Sequence, residues 1–212
     1  MTLNLAILAS GSGTNALNLL SVARNLDGIK IVLLIVDQSK SPLLNIAKER
    51  YPELPVMLIE EPSVEFIQDS KGRKLHHEKA ILKELQQHHV DWIFLAGYMR
   101  LLGETLLGAF TANGQSKIVN IHPSLLPAYP GLHAYERAFQ ANDVKAGVTI
   151  HLVDEGVDTG SILAQESFER KPSDTLKDFV ERGKTLEWNL YAQILKELSK
   201  ARVLNPMNAR KA

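Results

Sequence analysis

The sequence predicts an α/β protein: an open, mostly parallel sheet flanked by helices, followed by an antiparallel strand pair and a long helix. Three observations carry that expectation. Ile-, Val- and Leu-rich runs of strand length alternate with longer amphipathic stretches. A glycine-rich turn joins the first run to the first helix. Beyond Gly147 the alternation gives way to two runs joined by a short turn that contains Asp and Gly. Continuous apolar strands alternating with helices belong to parallel sheets covered on both faces.

The first strand is expected over Leu3–Leu8 (LNLAIL) and the second over Ile29–Val36 (IKIVLLIV). Val56–Ile59 is a weaker third, Asp91–Leu95 a fourth and Lys117–Ile121 a fifth. Helical patterns fill the intervals at Ala16–Arg24, Pro42–Arg50, Leu75–His88 and Gly103–Phe110. The segment Glu60–Gly72 reads as a loop. Val148–Val153 (VTIHLV) and Ser161–Glu166 (SILAQE) read as an antiparallel pair. An amphipathic helix over roughly Asp174–Leu198 follows, with Pro172-Ser173-Asp174 as its start signal. No internal repeat and no linker-like segment interrupts this pattern, so one domain is expected over 1–200 and a loose tail over 201–212.

Composition narrows the function classes. The 212 residues are 45% hydrophobic and 23% charged, the balance of a soluble globular chain and not of a disordered one. Twenty-four Lys and Arg residues offset 24 Asp and Glu residues, so no global basic excess points to nucleic acid. The absence of cysteine excludes disulfides, thiolate metal sites and a cysteine nucleophile, and it suits a reducing cytoplasm. The start, MTLNLAILASGSGTN, lacks basic residues and its apolar stretch is only a strand long, so neither a signal peptide nor a membrane span is expected.

Ala9-Ser10-Gly11-Ser12-Gly13-Thr14-Asn15 ends the first strand and opens the first helix. Two glycines permit left-handed backbone, successive N–H groups then converge, and the helix dipole adds positive potential. This is a phosphate site in the making, with Ser10, Ser12, Thr14 and Asn15 as further donors. With Ala16 the spacing also approaches the dinucleotide fingerprint, and Asp37 closes the second strand where a ribose ligand would sit. An NAD-dependent oxidoreductase therefore stays open at this point. A tight turn with no ligand is the plainer alternative.

The fifth strand runs into Asn120-Ile121-His122-Pro123-Ser124-Leu125-Leu126-Pro127. Asn120 and His122 are two residues apart on a strand, so their side chains leave one face. His122 can move a proton near neutral pH, and the Asn120 amide can steady a developing oxyanion without titrating. A core histidine beside a turn-capping asparagine is the alternative. The constrained run Ala128-Tyr129-Pro130-Gly131-Leu132-His133 follows, and later comes Asp154-Glu155-Gly156-Val157-Asp158-Thr159-Gly160. A carboxylate from this turn, Asp158 above all, is expected to raise the His122 pKa and to orient the ring or a water. Asp154, Glu155 and Asp158 lack the alternation and terminal Glu of an EF-hand calcium loop. His76–His77 and His88–His89 are expected on a solvated helix face and not at a metal.

Four segments together resemble the phosphoribosylglycinamide formyltransferase family: ASGSGTN, LAGYMRLL at Leu95–Leu102, NIHPSLLPAYPGLH at Asn120–His133, and DEGVDTG at Asp154–Gly160. The likeness runs from Met1 to about Tyr191 in family order. It implies a Rossmann-like formyltransferase fold, with a phosphate-binding half at about 1–115 and a catalytic half at about 116–200. It also implies a reaction of purine biosynthesis in which 10-formyltetrahydrofolate, as co-substrate, gives its formyl group to the amine of glycinamide ribonucleotide. No metal is implied. Carried over by position, Asn120 holds the oxyanion, His122 transfers a proton, and Asp158 tunes His122 and holds a water. Gly13, Thr14 and Asn15 match the phosphate grip, and Glu187 matches a helix carboxylate near the substrate amine. Met99, Arg100, Leu101 and Leu102 match the folate-lining segment. A basic residue near the folate falls on either Arg73 or Lys74: counting back from Met99 favours Lys74, guanidinium chemistry Arg73. The family includes monomers and homodimers.

Three neighbouring chemistries compete. Formyltetrahydrofolate hydrolases carry an extra N-terminal domain, for which this chain leaves no room. Formyltransferases acting on methionyl-tRNA or on sugar nucleotides are expected to lack GSGTN. An oxidoreductase built on Gly11, Gly13 and Asp37 leaves Asn120–His133 unexplained. A non-catalytic nucleotide-binding module is the last alternative.

Overall fold

The computed structural model of the chain describes residues 2–207. Its main sheet has seven strands in the order β3-β2-β1-β4-β7-β8-β9, mostly parallel, as expected. The chain divides into two compact units, one up to Val119 and one from Asn120.

In the first unit, β1 (Leu3–Ala9) lies between β2 (Ile29–Val36) and β4 (Trp92–Leu95), parallel to both, and β3 (Val56–Leu58) extends β2 in parallel. The last five residues of β1 and all four of β4 are buried, which is why these strands read as unbroken apolar runs. Helices α1 (Thr14–Ala23), α2 (Leu43–Arg50), α3 (Ser70–Gln87) and α4 (Glu104–Ala109) connect the strands. Helix α3 begins at Ser70, five residues before the expected Leu75. Asp69 accepts the Lys71 and Gly72 N–H groups as N-cap, a start signal inside the segment read as loop. A two-stranded hairpin, β5 (Thr111–Ala112) and β6 (Gln115–Ser116), was not expected; its strands are too short to carry a period.

Strand β7 (Ile118–His122) spans the boundary between the units. In the second unit α5 (Ala134–Gln140) follows, a short helix that the apolar pattern did not reveal. Strands β8 (Lys145–Leu152) and β9 (Ile162–Glu169) pair antiparallel, as the Asp-Gly turn predicted, with β8 starting three residues earlier and β9 ending three residues later than expected. Helix α6 covers Leu176–Ala201. Its start is set by Thr175 and not by Pro172–Asp174: Thr175 and Asp178 form a capping box. Its buried face is Phe179, Gly183, Glu187, Leu190, Tyr191, Ile194, Leu195 and Leu198, a three-and-four spacing in which Glu187 is the one charged member. Phe179 packs edge-on against Tyr135, Phe139 and Phe168. Residue 201 of the expected tail ends α6, residues 202–207 follow it, and the remainder lies outside the described residues.

Candidate active site

The glycine-rich turn is built for close approach. Gly13 is the N-cap of α1 with φ of 75°, and a Cβ there would stand 2.6 Å from a Leu43 methyl. Both the backbone and the space therefore require glycine. No side chain caps α1 and its first turn holds no acidic residue, so the helix end is kept positive. The loop is tied down from outside: the Ser41 hydroxyl donates to the Gly11 carbonyl at 2.6 Å, and the Met99 N–H donates to the Ser10 hydroxyl at 3.0 Å. That last bond links the turn after β1 to the segment after β4.

In that segment, Met99 is 66% and Leu101 62% exposed while Leu102 is buried, so alternate apolar side chains are presented outward. The Arg100 side chain turns away from them. Its Nε donates to Asp37 Oδ2 at 2.6 Å and its Nη1 to Glu61 Oε2. Burial opposes the Arg100 charge, but these two carboxylates outweigh it and hold its pKa above the ordinary value. Arg100 thus braces the segment after β4 through its side chain. Glu61 had no sequence signal, because an ion pair across 39 residues leaves none.

Helix α3 separates the two basic candidates. Arg73 donates Nη1 to the carbonyls of Ile67 at 3.0 Å and Gln68 at 2.8 Å, closing the loop before its own helix. Lys74 is half-buried and, among the described residues, has no hydrogen-bond or ion-pair partner. His77 overturns an expectation. It is buried and not solvated, with Nε2 2.9 Å from the Tyr98 hydroxyl, and its burial lowers its pKa. His76 and His89 are exposed, as expected for solvated helix positions, and His88 is half-buried with Nδ1 on the Glu84 carbonyl. Glu78, also buried, accepts the Gly103 N–H at the start of α4. Among the described residues no group of three or more His, Cys, Asp or Glu is placed to hold a metal ion.

The second unit brings Asn120, His122 and Asp158 together. His122 Nδ1 lies 3.1 Å from Asp158 Oδ2, and the Asn120 amide nitrogen lies 3.5 Å from Asp158 Oδ1. Asp158 sits at φ 55°, in the left-handed region, and takes the Gly131 N–H at 2.7 Å. The other His122 nitrogen, Nε2, is 2.8 Å from the Tyr129 carbonyl, which can only accept, so Nε2 carries a hydrogen. One expectation is corrected here. Asp158 does push the His122 pKa up, yet the net shift is downward, because burial of the imidazolium is the larger effect and the charges of His151 and Arg137 add to it. Burial likewise raises Asp158, but the adjoining His151 ring, the Gly131 N–H and the charge of His122 leave it below the ordinary carboxylate value.

His151, near the end of β8, completes this cluster and was missed. Its Nδ1–H donates to the Leu152 carbonyl at 2.9 Å, so Nε2 is left to accept the Asn120 amide at 3.2 Å. Asp158 Oδ1 is 3.5 Å from the same nitrogen. The signal was present: a histidine on a strand that is otherwise buried and apolar, VTIHLV, must find polar partners. Asp154 is accounted for within its own turn, accepting from Gly156 N–H at 3.0 Å and the Thr159 hydroxyl at 2.7 Å. Glu187, on the buried face of α6, accepts the Tyr135 hydroxyl at 2.7 Å.

Asp37 decides between the two enzyme classes that the glycine turn left open. A dinucleotide ribose would need that carboxylate, and Arg100 already takes its Oδ2, whereas the Asn–His–Asp cluster around the buried His122 suits acyl-type group transfer. Sheet and cluster therefore define an α/β group-transfer enzyme. The chain belongs to the formyl transferase family, whose sequence profile matches residues 3–195, and within it to the phosphoribosylglycinamide formyltransferases. It is 40% identical over 195 residues to the phosphoribosylglycinamide formyltransferase of Bacillus subtilis, covering 91% of this chain and 93% of that one. The crystal structure of the phosphoribosylglycinamide formyltransferase from Bacillus halodurans superposes with a TM-score of 0.82 at 40% identity, covering 93% of this chain and 96% of that one. The Drosophila melanogaster protein named trifunctional purine biosynthetic protein adenosine-3 is 34% identical over 178 residues, which are 84% of this chain and 12% of that longer one.

Proposed function

We infer that the chain transfers the formyl group of 10-formyltetrahydrofolate to the amine of glycinamide ribonucleotide in purine biosynthesis. The products are formylglycinamide ribonucleotide and tetrahydrofolate. The amine nitrogen attacks the formyl carbon, a tetrahedral oxyanion forms, and the bond from that carbon to the folate nitrogen breaks. One proton leaves the attacking amine and one reaches the departing nitrogen. The observation that carries this reading is the Asn120–His122–Asp158 cluster, in which the buried His122 ring is flanked by half-buried Asn120 and Asp158.

Asn120 is assigned to the oxyanion. Its bond to His151 fixes the amide plane, and its long 3.5 Å approach to Asp158 is the contact that an oxyanion would replace. His122 is assigned to proton transfer, ending as the acid toward the leaving nitrogen. Both its nitrogens are engaged in the ligand-free protein, so one contact gives way to substrate. The imidazolium that forms is then stabilised by Asp158 and the Tyr129 carbonyl. Gly13, Thr14 and Asn15 take the ribonucleotide phosphate at the uncapped end of α1. Met99, Leu101 and Leu102, with the Arg100 backbone, line the folate. Lys74, which has no partner among the described residues, is assigned to the folate's carboxylate tail in preference to Arg73, which holds its own loop. Glu187 faces the hydrogen-bond donors of the ribonucleotide. The cysteine-free chain suits the cytoplasmic setting expected for it.

Release of folate followed by absorbance, with and without glycinamide ribonucleotide, tests the reading. Release that depends on the ribonucleotide is expected. Release without any acceptor would reassign the chain to hydrolysis, and none under either condition would overturn the formyl-transfer reading.

A further inference from the structure

Glu187 is the one charged residue on the buried face of α6, and its Oε1 accepts a hydrogen bond from Tyr135 of α5. The hydroxyl donates to Oε1 at 2.7 Å with both side chains buried. The Tyr135 ring is itself fixed, edge-on to Phe179 with centroids 6.2 Å apart and planes at 89°, and packed with Ala138 and Ala146. Burial and the adjoining Glu187 charge push the phenol pKa far up, so the hydroxyl stays a donor. The approach is possible only because α6 carries glycine at position 183, one turn before Glu187. A Cβ there would overlap both the hydroxyl and the ring of Tyr135. Glycine inside a helix is destabilising relative to alanine. Gly183 has no left-handed backbone to require it, so space for Tyr135 is the reason left.

We propose that Tyr135 is a positioning residue for the acceptor substrate: seated in the Gly183 notch, it fixes the plane of the Glu187 carboxylate so that the ribonucleotide's N–H or O–H donors meet a preset acceptor. The inference rests on the functional reading above, which assigns Glu187 to the ribonucleotide. Holding one oxygen of a carboxylate removes its freedom to rotate, so less ordering remains to be done when substrate binds.

The test is a double-mutant cycle on the full chain with Tyr135→Phe, Glu187→Gln and the pair, together with Gly183→Ala. Tyr135→Phe keeps the ring and removes only the donor. A hydrogen bond to a charged group predicts a rise in KM for glycinamide ribonucleotide of roughly tenfold or more. The folate KM and kcat are expected to stay within about twofold, and Tyr135→Phe is expected to add little once Glu187→Gln is present. Gly183→Ala, which leaves both partners but fills the notch, is expected to raise the same KM. An unchanged ribonucleotide KM in Tyr135→Phe would overturn the inference. So would full multiplicative effects of the two substitutions, or equal losses for both substrates with a lowered Tm, the pattern of a packing role alone. These outcomes are separable from failure of the functional reading, in which the wild-type protein itself shows no ribonucleotide-dependent release.

Discussion

The imidazole of His122 meets the carboxylate of Asp158 at 3.1 Å between Nδ1 and Oδ2, while the opposite ring nitrogen is held 2.8 Å from the Tyr129 carbonyl. The ring is thus fixed from both ends by acceptors, an arrangement that the imidazolium satisfies better than the neutral ring. Burial nevertheless wins, and the resting pKa lies below the ordinary value.

His122→Ala is expected to lower kcat by roughly 10²–10⁴-fold, the usual contribution of a positioned acid or base. Asn120→Ala is expected to cost roughly 10²–10³-fold in kcat, the cost of one oxyanion donor. KM should change modestly in both. Steady-state kinetics check this, and near-wild-type turnover in both variants would remove the cluster from the mechanism.

Asp158→Asn is expected to lower the His122 pKa further, because the Asp158 charge works in the opposite direction to burial. NMR titration of the His122 ring reads the shift directly, and the limb of the kcat/KM profile that belongs to His122 should move to lower pH with it. A shift upward, or none, would detach the two residues.

Stability should fall on mild acidification. His77 and His122 both have pKa values lowered by burial from 6.5, so below that pH the unfolded chain binds protons that the folded chain resists. The contribution is fully present above about 6.5 and is lost as pH falls toward the folded values. Tm measured across pH 5 to 8 is expected to decline below about 6.5, with a shallower decline in His77→Gln. A flat Tm over that range would contradict the burial of these rings.

Gly13→Ala meets two obstacles, a φ of 75° and a Leu43 methyl 2.6 Å from the new Cβ. A loss of at least ~1–2 kcal/mol is expected from the backbone alone, together with a raised KM for the ribonucleotide. Leu43→Ala in the same chain should recover only the steric part, which denaturant unfolding of the single and double variants separates.

Lys74→Ala is expected to raise the KM for the folate with little change in stability, since no group among the described residues bonds that ammonium. Arg73→Ala should instead weaken the loop ahead of α3, where two carbonyls at 3.0 and 2.8 Å lose their donor. Kinetics and Tm on the two variants distinguish them, and the reverse pattern would exchange their roles.

Local pattern was enough to read the alternation of strands and helices in the first unit, the antiparallel pair β8–β9, the glycine at position 13, and the common face of Asn120 and His122. Each of these rests on contacts between residues close in sequence, or on a period of two or near four, which the chain displays directly. Tertiary structure alone decided the rest. Asp37 Oδ2 is taken by Arg100, which argues against a dinucleotide ribose at the glycine turn. His77 is buried although its helix is charged, and His151 joins Asn120 from another strand. Tyr135 reaches Glu187 through a notch whose only sequence trace is one glycine. The net direction of the His122 pKa belongs with these, because it is a contest between burial and charge, and burial is a property of everything that surrounds the ring.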